Sequence, residues 1–214
     1  MALRELPHIK DLNLDFNNCN HLSDRSLEIL SESIAHLNLM SFALIIGPPK
    51  TRSLLHQIIS YWKDQKGFAS FSSTLQKFTS LTTLSLNLTV FNINTKEFKR
   101  FSSALKDLKS LTSLSLELPQ FGSENNLEGF TSFILSLKEL ANLNSLHLMT
   151  SKRAKLRDQE VMLIFLSLRK YRFLESLKLR FELCQVTDEC LQHTLLEIKD
   201  LYALKNLHLS FGSE

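Results

Sequence analysis

The stretch that decides the fold of this 214-residue chain reads Leu81-Thr82-Thr83-Leu84-Ser85-Leu86-Asn87-Leu88. Leucine occupies its first, fourth, sixth and eighth positions, and six further segments repeat this pattern. They are Ile9 to Phe16, Leu37 to Leu44, Leu111 to Leu118, Leu143 to Thr150, Leu174 to Phe181 and Leu204 to Phe211. Their first residues are 28 to 32 positions apart, except for one interval of 44. This period predicts a solenoid of seven stacked units, one of which is enlarged.

Each unit combines the patterns of a strand and of a helix. Leucines that alternate with small or polar residues predict a half-buried strand. Before most strands, apolar residues recur at intervals of three and four, as on one face of a helix. These apolar sets are Phe68, Phe71, Leu75 and Phe78; Phe98, Phe101, Leu105 and Leu108; Phe130, Phe133, Leu137 and Leu140; Val161, Ile164, Leu168 and Tyr171; and Leu191, Thr194, Ile198 and Leu201.

The starts of the helices are also marked. Capping side chains predict N-termini near Ser23, Asn94, Asn125 and Thr187. We therefore expect an α/β solenoid, with a curved parallel sheet on its concave side and helices on its convex side.

The repeats resemble the leucine-rich repeats, in particular the helix-containing, ribonuclease-inhibitor-like branch. The resemblance covers residues 1–214 as one domain, with an enlarged second repeat at 37–80. Two units, Phe16 to Asp24 and Phe181 to Leu191, are similar to the cysteine-containing subtype of F-box substrate adaptors. The family's usual Asn or Cys, eight positions after the first leucine, is present only as Asn17, so most loops must satisfy their backbone groups differently.

The enlarged repeat contains the one tryptophan of the chain. The residues from Gly47 to Arg52 predict a turn, and those from Leu54 to Trp62 predict an additional helix. The favoured interpretation is that this helix fills a local gap in the solenoid. The alternative hypothesis makes Tyr61 and Trp62 an aromatic anchor for a partner.

The composition points to an intracellular protein. The net charge is only +3, and neither a secretion signal nor an apolar run long enough to span a bilayer is visible. Cys19, Cys184 and Cys190 lack the spacing of a zinc or redox motif and predict free thiols, with the two later ones as buried or loop residues. These features predict a cytoplasmic location.

The residues between the strand leucines predict a partner-binding surface on the concave face. We expect this surface to bind another protein, and to be acidic near its start and basic near its end. Its candidate contact residues are Asp11, Asn13, Asp15, Asn87, Glu117, His147, Met149, Lys178, Arg180 and His208. The second strand is expected to contribute Leu39, Ser41 and Ala43.

No motif for catalysis, a cofactor or a metal is present. Ser115 and Ser145 lie near His147 in the predicted sheet, but no carboxylate is evident to orient the imidazole, so an ordinary polar strand surface is favoured. Basic residues cluster at Lys152 to Arg157 and at Arg169 to Arg172 without an aromatic stacking platform. Nucleic-acid binding is therefore not expected.

The sequence thus predicts a non-enzymatic interaction or scaffold module. Four alternatives stay open, namely the substrate-recognition part of a ubiquitin-ligase adaptor, a host-mimicking pathogen effector, a regulator of small GTPases and a structural subunit. Both ends lack a recognisable cap, which predicts a segment of a longer solenoid, self-association or coverage by a partner.

Overall fold

A computed structural model describes residues 2–19, 21–47, 62, 65–91, 93–119, 127–150, 156–182 and 186–212. A short 3-10 helix, Ala2–Glu5, precedes the first strand. The strands are β1 (Asp11–Asp15), β2 (Ser41–Ile45), β3 (Thr83–Asn87), β4 (Ser113–Leu118), β5 (Ser145–Thr150), β6 (Ser176–Phe181) and β7 (Asn206–Ser210). The described helices are α1 (Asp24–Ile34), α2 (Lys66–Leu75), α3 (Thr95–Lys106), α4 (Leu127–Leu137), α5 (Asp158–Leu168) and α6 (Asp188–Ile198).

The seven strands form one parallel sheet in the order of the chain. Equivalent positions of successive repeats lie side by side, so that Leu84 pairs with Leu114 and Leu114 with Leu146. Consecutive strands joined through helices are the arrangement that the repeat pattern predicts. The predicted alternation of strands and helices in a repeat architecture is confirmed.

The second copy of the pattern begins two residues later than predicted. Phe42 pairs with Leu84, which makes Leu39 the equivalent of Leu81 and places Ile45 beside Asn87. Leu39 is fully buried rather than part of the partner-binding surface. The prediction was wrong because alternation shows only which face of a strand a side chain points to. Two alignments of the repeat pattern that differ by two residues therefore look the same within the strand.

The helices pack against their neighbours along the solenoid, and the apolar stripes face the sheet. The predicted stripes of the units that contain α2, α3, α4 and α5 are buried at all four positions. Aromatic rings continue from one repeat to the next, with the ring centroids of Phe68 and Phe101 5.7 Å apart and those of Phe98 and Phe133 5.6 Å apart. The buried Tyr171 hydroxyl donates to the carbonyl of Leu137 in the preceding unit.

The last described unit departs from the predicted stripe. Leu191 is 40% exposed, whereas Cys190 beside it is buried. No described helix lies beyond α6 to cover Leu191, whereas the Cys190 sulfur lies 3.8 Å from the carbonyl oxygen of Asp158 in α5. The expectation that Cys190 is buried is confirmed, while Cys184 lies outside the described residues.

The predicted helix starts agree with the structure where it describes them. The side chain of Asn94 accepts from the Glu97 amide at the start of α3, and that of Thr187 accepts from the Cys190 amide at the start of α6. Helix α1 begins directly after Ser23. Each cap satisfies an amide that has no partner within its helix. The predicted start at Asn125 lies outside the described residues.

Gly67 lies at a close approach between α1 and α2. A Cβ atom at this position of α2 would lie 2.1 Å from the carbonyl oxygen of Asp24 in α1. Gly67→Ala is therefore expected to lower the free energy of unfolding by about 1 to 3 kcal/mol, because α1 and α2 must move apart.

Urea denaturation of Gly67→Ala and Gly129→Ala measures this effect against a matched change. A Cβ at Gly129, also in the first turn of a helix, would lie 3.3 Å from a side-chain atom of Phe98 and 3.6 Å from Thr95, with no contact below 3.0 Å. Gly129→Ala is expected to be neutral or slightly stabilising, because alanine is the better helix former. Equal effects of the two substitutions would contradict the proposed close approach at Gly67.

Candidate functional site

One face of the sheet points away from the helices, and we call it the open face. On β2 to β6 the leucines are buried in the core, while most of the residues between them are more exposed. The strand register arranges these residues in three rows across the sheet. The first row is Asp11, Ser41, Thr83, Ser113, Ser145, Ser176 and Asn206; the central row is Asn13, Ala43, Ser85, Ser115, His147, Lys178 and His208; the third row is Asp15, Ile45, Asn87, Glu117, Met149, Arg180 and Ser210.

All ten strand residues predicted to contact a partner lie on the open face. The exposed ones are Asp11, Asn13, Asp15, Lys178 and His208, and the half-buried ones are Glu117, His147, Met149 and Arg180. Asn87 is only 9% exposed. The structure therefore brings the predicted residues into one continuous surface, with different degrees of accessibility.

Two of these residues hold the loops that follow their strands. The Asp15 carboxylate accepts from the Asn17 amide at 2.8 Å, and the Asn87 side-chain carbonyl accepts from the Thr89 amide at 3.0 Å. Such contacts two residues along the chain satisfy backbone groups in a tight turn. They satisfy two of the backbone amides in the loops after β1 and β3.

A carboxylate lies in the middle of the third row. Glu117 Oε2 accepts from Asn87 Nδ2 at 2.7 Å. Burial raises the pKa of Glu117, the positive field of Arg180 lowers it, and the negative field of Glu182 raises it. The amide of Asn87 and the positive field of Arg180 thus both stabilise the charged form of Glu117, which is partly removed from water.

Arg180 is less available than its position in the sequence implies. Its Nη2 atom lies 3.4 Å from Oε1 of Glu182, the residue two positions after it. Glu182 is not among the contact residues predicted from the sequence, because it follows the end of β6. The signal that identifies it is the alternation of the strand, which continues for one more step on the same face.

The central row contains a pair of polar side chains at its midpoint. Ser115 Oγ lies 3.2 Å from His147 Nδ1. Within the described residues, Nε2 of His147 is buried and has no hydrogen-bond partner. Burial is the main reason that the pKa of His147 is lowered, and the positive charges of Lys178 and His208 lower it further.

This arrangement makes stability depend on pH. In the unfolded chain a histidine has a pKa of about 6.5, so acid protonates His147 more readily when the protein is unfolded. The stabilisation associated with neutral His147 is present above this value and is lost as the pH falls below it. We expect the free energy of unfolding to fall less between pH 7.5 and 5.5 in His147→Gln than in the wild type, as measured by urea denaturation. Equal losses in the two proteins would contradict this assignment.

Trp62 is part of the core and is not available as an anchor on the surface. The indole is 2% exposed, and its ring centroid lies 4.5 Å from that of Phe91 in an edge-on contact. Burial of this large ring favours the interpretation that the enlarged repeat fills a gap, because an anchor must be accessible before binding. Tyr61, the predicted turn and the predicted additional helix lie outside the described residues.

The remaining candidates contribute little to the open face. Arg169 forms a two-pronged ion pair with Glu197 of the next unit, on the helix side. Residues 152–155 of the basic cluster lie outside the described residues. In the described ranges there is no group of three or more His, Cys, Asp or Glu residues placed to hold a metal ion. In those ranges, too, every helix is too short or too polar to cross a membrane.

Comparisons with known proteins add no family assignment. No protein-family model matches the chain, and no curated protein matches it. The function of the protein must therefore be inferred from the residues of the open face.

Proposed function

We propose that the protein is a non-enzymatic leucine-rich-repeat module that binds a partner protein on its open face, which forms the concave wall of the solenoid. The observation that carries this proposal is the register of the seven strands. It aligns three rows of mostly small, polar or charged side chains on a sheet whose other face is anchored in the core. Solenoids commonly use such a wall to bind other macromolecules.

The dimensions of the open face suit an extended ligand. Six spacings of about 4.8 Å between neighbouring strands give a width of about 29 Å. A fully extended segment of about nine residues has this length. At the centre of the open face the side chains are the small ones of Ser85, Ser113 and Ser115, which project little from the sheet. A partner can therefore approach the backbone of the sheet there.

Site-specific photocrosslinking tests this proposal. A photoreactive phenylalanine derivative replaces Ser85 on the open face or, in a matched control, Ser103 on the exposed side of α3. We expect a partner protein from the source cells to be crosslinked at Ser85 and not at Ser103. Crosslinks at Ser103 alone would contradict binding on the open face.

The end of the sheet at β7 supports a further proposal from the sequence, that an end of the solenoid is covered by self-association or by a partner. Leu195 and Leu207 are about half exposed, although leucine at the position of Leu207 is buried in the preceding strand. Light scattering over a range of concentrations tests self-association. A mass that rises with concentration and returns to that of a monomer in Leu207→Glu supports it, whereas a constant monomeric mass excludes it.

A further inference from the structure

We propose that the end of the open face formed by β5, β6 and β7 recognises the carboxylates of an extended acidic segment in the partner protein. This inference rests on the proposed function and specifies the chemistry of the partner. The groups that carry it are Lys178, which supplies the positive charge, and the imidazoles of His147 and His208 on either side of it, and we call these three residues the basic row.

Backbone register places the three side chains of the basic row together. His147 pairs with Lys178 across β5 and β6, and Lys178 pairs with His208 across β6 and β7. Direct partners on neighbouring parallel strands are about 4.8 Å apart and point to the same face. The row therefore presents one ammonium group between two imidazoles within about 10 Å.

The permanent positive charge of the basic row is that of Lys178, because burial favours the neutral form of His147. On the same three strands the first row supplies only the neutral Ser145, Ser176 and Asn206. Two carboxylates lie in or beside the third row, where Glu117 accepts from Asn87 and Glu182 pairs with Arg180. In the part of the chain that the structure describes, Lys178 forms no ion pair. A carboxylate from outside the chain is the complementary group.

The neighbouring side chains favour a protein ligand over a nucleic acid. The open-face positions of β5, β6 and β7 contain no phenylalanine, tyrosine or tryptophan on which a base could stack. They offer instead the hydroxyl groups of Ser145 and Ser176 and the amide of Asn206, which can donate hydrogen bonds to carboxylates or to peptide carbonyls. Alternate side chains of an extended peptide are about 7 Å apart, so two carboxylates on one side of it can both lie within reach of the row.

The binding of labelled nine-residue peptides to the purified protein tests the inference. Fluorescence anisotropy compares a peptide of alternating Glu and Ser with peptides in which Lys or Gln replaces Glu. We expect only the Glu peptide to bind, and its affinity to fall as the salt concentration rises. Lys178→Glu is expected to weaken this binding about tenfold or more, because it reverses the central charge of the row.

The matched control is Lys170→Glu, which makes the same charge change at an exposed position after α5 on the helix side. It is expected to leave the affinity within about twofold of the wild type. Failure of the wild type to bind the Glu peptide, or equal weakening by Lys178→Glu and Lys170→Glu, would overturn the inference.

The two proposals can fail separately. Crosslinking of a partner at Ser85 together with no binding of the Glu peptide would leave the open face as the docking surface and remove only the acidic ligand. Crosslinking at Ser103 alone would remove the docking surface, whatever the peptide result.

Discussion

Phe133→Ala is expected to lower the free energy of unfolding by about 3 to 5 kcal/mol. The Phe133 ring is fully buried on the inner side of α4, and its centroid lies 5.6 Å from that of Phe98 and 6.2 Å from that of Phe130. Removing the ring deletes apolar contacts with two repeats and leaves a cavity that the stacked units cannot easily close. Urea denaturation followed by circular dichroism measures the loss.

Leu135→Ala is the control for this prediction, because Leu135 lies on the same helix and is 54% exposed. Its expected effect is less than about 1 kcal/mol, since little apolar surface is transferred to water. Similar losses at the two positions would contradict the orientation of α4 described above.

Leu177→Ala is expected to cost about 2 to 5 kcal/mol, whereas Leu207→Ala is expected to cost less than about 1 kcal/mol. The two leucines are direct partners in neighbouring strands, and they occupy the same position of the repeat. Leu177 is fully buried and Leu207 is 47% exposed. The comparison therefore keeps the substitution and the local backbone constant and changes only the number of neighbouring repeats.

The measurement for the leucine pair is again the free energy of unfolding from urea denaturation, at a low protein concentration that limits association. A loss for Leu207→Ala as large as that for Leu177→Ala would show that the end of the sheet at β7 is covered in solution. Because association is limited under these conditions, that result would contradict the exposure of Leu207 in the single chain.

The repeating part of the fold could be predicted from sequence because two simple periods determine it. Leucines two apart place a strand with one face inward, and apolar residues three and four apart orient each helix. Prediction from these two periods failed where burial or strand register depends on the neighbouring repeats. Leu191 follows the helical period but has no described helix to cover it, and the frame of β2 depends on a pairing that alternation alone cannot distinguish.

The candidate site, too, could be predicted from the sequence only in part. The period of two assigns all ten strand residues to the open face, because orientation is a property of the backbone. Their availability depends on side-chain partners that no period reveals. Asn87 is engaged by Glu117 and Thr89, and Arg180 lies beside Glu182, so the basic character of this end depends on Lys178 and its neighbouring histidines.

The burial of Trp62 required knowledge of its tertiary neighbours. The sequence favours a helix that fills a gap in the solenoid and leaves an exposed aromatic anchor as the alternative. The contact with Phe91 shows that the indole belongs to the core, because it places the ring against the loop that follows β3. Large aromatic side chains contribute most to the stability of the fold when they are buried in this way.

Quantitative affinity purification with two matched pairs of substitutions tests most directly whether the open face binds a partner. One variant combines Ser85→Tyr with Ser113→Tyr on the open face, and the other combines Ser73→Tyr with Ser103→Tyr on the exposed sides of α2 and α3. Circular dichroism and thermal denaturation establish that both variants are folded. We predict that bulky side chains on the open face remove the partner proteins recovered with the wild type, and that the same side chains on the helices do not. Recovery of unchanged partners with the open-face variant, or their loss only with the helix variant, would contradict the proposal.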